Sequence, residues 1–358
     1  MQFGVYIHFP YCLSKCPYCD FASRAETVIP QRRYTEAVLR ELDARAAQFP
    51  GREAVSIYFG GGTPSLWDPP QLGRVLRARF AAFRALGVNR LSIGVQSFAP
   101  AQLVALGRKH SGGDAVRAFQ TARAAGFGNV SLDLIHGVER QTKDLAASDT
   151  AAAVALGPEH VSCYALTLTG LAEEVPMAKA LRRGELVLPD DESVSDMGDA
   201  VRAELAKGRY TRYEISNYAR DGREAVHNSL YWRGGEYAAA GCGACGFLRE
   251  GRGGVRFAND RSPERYMERV ERAGIGDASS ERVSPEEHLR ERIFTGLRLA
   301  EGIDFAALEH DLDLPVRDRY AEVIARIAGQ GLGSFDGARL RLNDRGLDLH
   351  SEVSVRFF

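Results

Sequence analysis

The sequence predicts an α/β fold, a partial TIM-type (β/α) barrel joined to a mostly helical C-terminal domain, with the division near residue 215. Three observations lead there. Short apolar runs alternate with helical stretches through the first half, as in repeated βα units. Each run ends in a Gly-rich or polar loop, where parallel sheets and barrels carry their chemistry. From about residue 216 to the end this rhythm is lost and helical patterns dominate.

The elements follow in order. Val5–Phe9 reads as a first core strand and Tyr34–Gln48 as its helix. Val55–Phe59 is the second strand, followed by a helix over Pro70–Leu86. Arg90–Val95, Val130–Ile135 and His160–Leu166 are the later strands, separated by helices at Gly113–Ala125 and Thr142–Leu156. Asp190–Gly208 is expected to be helical and Tyr210–Tyr218 extended. A glycine- and aromatic-rich stretch, His227 to Phe247, follows without clear periodicity. Ser284 then caps a helix that begins Pro285-Glu286-Glu287. Gly333–Asn343 reads as a hairpin and Asp344–Val353 as a closing helix.

The 358 residues are 45% hydrophobic and 26% charged, ordinary values for a globular chain. A formal net charge of −1 gives no field to draw nucleic acid, which is excluded as an expected partner. No run approaches the ~20 apolar residues of a membrane span. Met1 leads almost directly into the first strand rather than into a secretory leader, so a cytoplasmic location is expected.

Three of the six cysteines fall in Cys12-Leu13-Ser14-Lys15-Cys16-Pro17-Tyr18-Cys19, a C-x3-C-x2-C spacing directly after the first strand. Clustered thiols in a large chain without an export signal point to metal rather than disulfides. Three thiolates from one tight loop can hold three irons of a [4Fe–4S] cubane and leave the fourth open to a small ligand. The competing readings are chance cysteines, or a zinc site with His8 as the fourth ligand. Gly60-Gly61-Gly62-Thr63 after the second strand is either a close-approach loop for a ligand or a plain tight turn. Asp133 interrupts an apolar run and needs a hydrogen-bonding partner. His227 reads, from its chemistry alone, as a satisfied core histidine or a heme neighbour. Cys242 and Cys245 read as part of a small-residue core loop, and Cys163 as structural.

The run Tyr6-x-His8-x-Pro10-x-Cys12-x3-Cys16-x2-Cys19-Asp20-Phe21 resembles the radical S-adenosylmethionine superfamily, in the group related to oxygen-independent coproporphyrinogen oxidase. The resemblance continues through Tyr58–Pro64, Asn89–Phe98, Asp133–Ile135, Tyr213–Tyr218 and His227-Asn228-x-x-Tyr231-Trp232-Arg233-Gly234-Gly235, nearly the whole chain. It implies a [4Fe–4S] cluster on Cys12, Cys16 and Cys19, and S-adenosylmethionine as a second cofactor. It also implies that Gly61, Gly62 and Thr63 contact the methionine moiety, Gln96 and Asp133 the ribose, and Arg108 a carboxylate, with lesser contacts from Tyr6, Tyr18 and Ala165. The oxidase subgroup carries a further cysteine two residues after the third, where this chain has Phe21. This and the H-N-x-x-Y-W block resemble the heme chaperone branch often called HemW. Heme then becomes the third expected cofactor, with His227 as a candidate heme-proximal residue.

Two departures from that pattern stand out. Between Pro64 and Asn89 the usual Glu-bearing strand is missing, so the barrel is expected to lack one βα unit and cofactor affinity to fall by about 1.5–3 kcal/mol. Gly137-Val138-Glu139-Arg140 stands where Gly-Leu-Pro-Gly is usual. The expected function is heme uptake and transfer to an acceptor protein, which includes an acceptor at a membrane surface. The alternatives are oxidative decarboxylation of coproporphyrinogen III and a degenerate relative that keeps only the fold.

Overall fold

The computed structural model describes residues 1–79, 88–171, 175–220 and 222–358. In chain order, strand β1 (Gln2–Phe9) leads to the short strands β2 (Tyr11–Cys12) and β3 (Arg24–Ala25), then helix α1 (Gln31–Ala46), β4 (Glu53–Gly61) and α2 (Pro69–Arg79). Next come β5 (Leu91–Gln96), α3 (Pro100–Ala105), α4 (Gly112–Ala124), β6 (Val130–His136), α5 (Lys143–Leu156) and β7 (His160–Ala165). They are followed by α6 (Pro176–Arg182), α7 (Asp191–Lys207), β8 (Thr211–Glu214) and β9 (Asn217–Ala219). The remainder holds α8 (Val226–Trp232), β10 (Glu236–Ala240), β11 (Cys245–Glu250), β12 (Gly253–Asn259), α9 (Pro263–Ala273) and β13 (Asp277–Val283). Then follow α10 (Pro285–Gly296), β14 (Ile303–Asp304), α11 (Phe305–Leu312), α12 (Val316–Gly329), β15 (Gly333–Phe335), β16 (Arg339–Leu342), α13 (Asp344–Asp348) and α14 (His350–Ser354).

The chain forms two compact units. One comprises Met1–Lys15, Phe21–Ala85 and Ala225–Phe358; the other comprises Cys16–Asp20 and Leu86–Glu224. The first unit carries a six-stranded sheet in the order β13-β12-β11-β10-β1-β4, with β1 parallel to both β4 and β10. Alternation along β1 sends Val5, Ile7 and Phe9 into a core built with Tyr34, Val38 and Leu42 of α1, Trp67, and Tyr266, Met267 and Val270 of α9. Gly4, Tyr6 and His8 are the intervening residues, so they share the opposite face.

The second unit carries a five-stranded sheet, β5-β6-β7-β9-β8, parallel through β5–β7. Its core joins Leu132, Leu134 and Val161 to Phe119 of α4, Ala153 of α5 and Met197, Val201 and Leu205 of α7.

The expected strands and helices of the first half are present. The helix expected over Pro70–Leu86 is described only to Arg79; the rest of that expectation lies outside the described residues. Among the described residues between Pro64 and Asn89 there is a 3-10 turn and α2 but no strand, and β4 and β5 belong to different sheets. In the C-terminal part expected to be mostly helical, 236–283 also holds four strands, and helices dominate from Pro285 onward. Tyr210–Tyr218 is a short antiparallel hairpin rather than one strand, and the closing helix is two short ones. Among the described residues no helix is long and apolar enough to cross a membrane.

In the departing loop, Gly137 (φ 76°) and Arg140 (φ 58°) are both left-handed. Arg140 thus occupies, with a side chain, a conformation for which glycine is the natural residue.

Candidate functional site

Beyond β1 the chain turns at Pro10 and enters a loop whose two ends are pinned. Tyr11 and Cys12 pair in register with Arg24 and Ala25, the Arg24 amide donates to the Pro10 carbonyl at 2.7 Å, and the Glu26 amide donates to the Cys12 carbonyl at 2.9 Å. Within the loop, the Cys19 amide donates to the Cys16 carbonyl at 3.1 Å, so these two cysteines share one turn. All three loop cysteines are thiols outside any disulfide, and all are half-buried.

Among the described residues no three His, Cys, Asp or Glu side chains are drawn together as one metal ion would require. A cubane asks for something else, since each thiolate takes its own iron. The zinc reading fails at His8. Its Nε2 lies 3.0 Å from the Ala22 carbonyl and must carry the proton, so its Nδ1 accepts from the Tyr6 hydroxyl at 2.9 Å. Neither nitrogen is left for a metal. Burial holds the His8 imidazole neutral, its pKa pushed down to about 4. Three soft thiolates on one pinned loop, with no fourth protein donor among the described residues, fit an iron–sulfur cluster.

The triglycine segment closes against that loop within the first unit. The Gly62 amide donates to the Phe9 carbonyl at 2.7 Å and the Thr63 amide to the Tyr11 carbonyl at 2.8 Å. Gly61 has φ +104°, and a Cβ there would lie 2.5 Å from His8 Nε2. A Cβ on Gly62 would lie 2.6 Å from the Tyr11 oxygen and 3.0 Å from Cys12 Sγ. The glycines therefore let β4 lie directly on the cysteine loop. Thr63 Oγ1 donates toward Cys12 Sγ at 3.5 Å. Tyr6 is half-buried, and its ring stacks on that of Tyr58 at 5.9 Å.

In the second unit, Gln96 ends β5 with φ 66°, a left-handed conformation unusual for a residue with a side chain. Its amide lies over Gly94, where a Cβ would come within 2.7 Å of Gln96 Nε2. Arg108 follows α3; its Nη2 donates to the Gly94 carbonyl at 2.9 Å and its Nη1 to Cys16 Sγ at 3.3 Å. Tyr18 lies beside Cys16 and Arg108, and burial pushes its phenol well above the ordinary value. Asp133 sits mid-strand in β6 and accepts from Ser92 Oγ at 2.8 Å; burial raises its carboxyl pKa, opposed by hydrogen bonds from Ser92, Ser162 and Ser131. Ala165 is exposed at the end of β7.

His227 lies in the first unit. It is buried on α8, with Nδ1 paired to Ser56 Oγ at 2.8 Å and Nε2 to the Tyr231 hydroxyl at 2.6 Å. Its ring lies where any side chain on Gly4 would be, at 3.1 Å from a Cβ built there. Burial lowers its pKa to about 4. A neutral ring with both nitrogens engaged has no lone pair for iron, so the satisfied-histidine reading holds for this geometry. Cys163 and Cys242 are buried, and burial pushes the Cys242 thiol up to about 12. Cys245 is exposed at the start of β11. The Arg108–Cys16 contact has no signal in the sequence, where nothing marks two residues 92 positions apart as neighbours.

The description "HemN C-terminal domain" matches residues 283–349. Among curated proteins, the Heme chaperone HemW of Mycobacterium tuberculosis is 34% identical over 96% of this chain and 92% of its own length. The Heme chaperone HemW of Escherichia coli is 36% identical over 74% of this chain and 75% of its own. The mitochondrial radical S-adenosyl methionine domain-containing protein 1 of mouse is 32% identical over 96% of this chain and 84% of its own. Among solved structures, coproporphyrinogen III oxidase (HemN) from Escherichia coli, a radical SAM enzyme, superposes with a TM-score of 0.80 over 99% of this chain and 89% of that one, at 20% identity. The fold is therefore that of HemN, and with a HemW relative 34% identical over nearly its full length the chain belongs to the HemW family.

Proposed function

We propose that this protein is a heme chaperone that holds a [4Fe–4S] cluster and S-adenosylmethionine, takes up heme and transfers it to an acceptor. The observation that carries the reading is similarity to HemW proteins over nearly the whole chain, in a sequence that keeps Cys12, Cys16 and Cys19 on a pinned loop. When bound, the cluster would supply an iron open to the amine and carboxylate of S-adenosylmethionine.

The chain's own residues would do the rest. Cys12, Cys16 and Cys19 bind, and Thr63 and Arg108 place hydrogen-bond donors at two of those sulfurs. Gly61, Gly62, Gln96, Asp133 and Ala165, with Tyr6 and Tyr18, line the ligand's place in this reading. His227 would border heme through its place beside Tyr6, Tyr58 and Tyr231 rather than ligate it. A division into a barrel domain, 1–215, and a C-terminal domain, 216–358, a cytoplasmic location, and acceptors that include one at a membrane surface belong to the same proposal.

An anaerobic heme titration of cluster-loaded protein tests it. A Soret change that saturates at stoichiometric heme is expected. No saturable change with the cluster intact overturns the chaperone reading. Protoporphyrinogen formed together with 5′-deoxyadenosine under reducing conditions would replace it with the oxidase.

A further inference from the structure

We infer that Arg108 is a positioning residue of the cluster, donating an N–H···S hydrogen bond to Cys16 that raises the reduction potential of the cluster this thiolate would hold. The inference rests on the reading that Cys12, Cys16 and Cys19 carry that cluster.

The contact is built rather than incidental. Arg108 Nη1 lies 3.3 Å from Cys16 Sγ while Nη2 is anchored on the Gly94 carbonyl at 2.9 Å, so one guanidinium edge is held at both nitrogens. Three features fix the guanidinium there. The Arg108 amide donates to the Leu103 carbonyl at 2.8 Å, which closes the end of α3. Gly107, at φ +64°, lies so close to the cysteine turn that a Cβ would stand 2.6 Å from Pro17 Cδ. Gly94 presents no side chain, which leaves its carbonyl open beneath Gln96 and Arg108. The turn itself is tied down from its other side, where the Met177 amide donates to the Pro17 carbonyl at 3.0 Å. Tyr18, beside both Cys16 and Arg108, completes the group.

The chemical consequence follows from charge. One-electron reduction adds a negative charge to the cluster, shared with its thiolate sulfurs. A cationic donor on one sulfur stabilises that state more than the oxidised one, and hydrogen bonds to sulfur are among the factors that set cluster potentials. A raised potential makes the reduced cluster a weaker electron donor toward a sulfonium. That suits a cluster which retains its ligand instead of cleaving it. Guanidinium has five N–H groups, and the two bonds above leave three for a carboxylate.

The test is a redox titration of reconstituted wild type and Arg108→Met, followed by the paramagnetic signal of the reduced cluster, without S-adenosylmethionine and with iron and sulfide counted in each. Arg108→Met is expected to shift the midpoint potential downward at full cluster content, Arg108→Lys to shift it less, and Arg117→Met, an exposed charge removal, not at all. An unshifted potential in Arg108→Met at full iron overturns the inference while the cluster reading survives. Wild type that takes up no iron and sulfide overturns both. Should Arg108→Met assemble no cluster, resonance Raman of wild type decides. Fe–S(Cys) bands that move on exchange into D2O support an N–H donor on sulfur, and bands that stay in place overturn it.

Discussion

Gly62 and His227 show how single residues set what this loop and its surroundings can do. A methyl group at Gly62 would overlap the Tyr11 carbonyl at 2.6 Å, which is backbone of the pinned cysteine loop, and press on Cys12 Sγ at 3.0 Å. Gly62→Ala is therefore expected to displace Cys12 and lower the iron and sulfide bound per chain; unchanged cluster content would show that the loop yields more easily than its hydrogen bonds indicate. His227 teaches the opposite lesson. Its two nitrogens are spent on Ser56 and Tyr231, so His227→Gln is expected to cost about 1–3 kcal/mol of stability through imperfectly paired hydroxyls. The axial-ligand bands of bound heme should not change. Urea unfolding and the visible spectrum of the same variant separate the two effects, and altered ligand bands at undiminished stability would restore the ring as an iron ligand.

At the scale of elements, α1 is tied to the sheet by one buried carboxylate. Glu41 accepts from the Gly241 amide at 3.0 Å, the Gly276 amide at 3.1 Å, Asn259 Nδ2 at 3.0 Å and the Tyr266 hydroxyl at 2.8 Å, and it pairs with buried Arg45 at 3.1 Å. Removing this carboxylate leaves Arg45 with Asp277 as its remaining carboxylate among the described residues and unpairs the four donors around Glu41, at about 3–5 kcal/mol. Glu41→Ala is expected to lose about that much in urea unfolding, and Glu41→Gln less, because its one amide oxygen still accepts from one of the two glycine amides. Nothing in the sequence announces this tie, because its members lie on α1, after β10 and before β13. The same reason explains what was legible elsewhere. Strands β1, β4, β5, β6 and β7 are read from apolar runs between helical stretches, since a buried parallel strand carries its own signature. The strands β10 to β13 carry none: Ala238-Ala239-Ala240, Gly253-Gly254 and Ser279-Ser280-Glu281 have neither apolar bulk nor alternation, and they are extended because their neighbours pair with them. Likewise Cys12, Cys16 and Cys19 are legible from spacing, whereas Thr63 at Cys12, Arg108 at Cys16, and Ser56 and Tyr231 at His227 are brought there only by folding.

For the whole molecule, the buried histidines make stability depend on pH in a direction that can be worked out. Burial lowers His8, His227 and His288 to about 4 and His160 to about 3, against an unfolded value of about 6.5. Between those limits the unfolded chain binds protons that the folded chain refuses, so the unfolding free energy falls as pH drops below about 6.5 and levels off only below the folded values. Each such ring contributes a slope of up to about 1.4 kcal/mol per pH unit. Glu41, Asp133 and Asp149, raised by burial, act in the opposite sense, because the folded chain takes up their protons first. One histidine can be isolated from this sum. His288 is 2% exposed and stacked on Phe247 at 5.1 Å, and among the described residues neither of its ring nitrogens has a hydrogen-bond partner. Its surroundings, Arg249, Arg256 and Arg292 with Asp311 opposing, add to the burial that resists its protonation. His288→Phe keeps the stacked ring, removes two unpaired polar atoms and removes one proton from the linkage. Urea unfolding of both proteins from pH 8 to pH 5 is expected to show the variant at least as stable as wild type throughout, with an advantage that widens below about pH 6.5. All other titrating groups cancel in that difference, so parallel stability curves would mean that His288 takes up its proton in the folded state as readily as in the unfolded one.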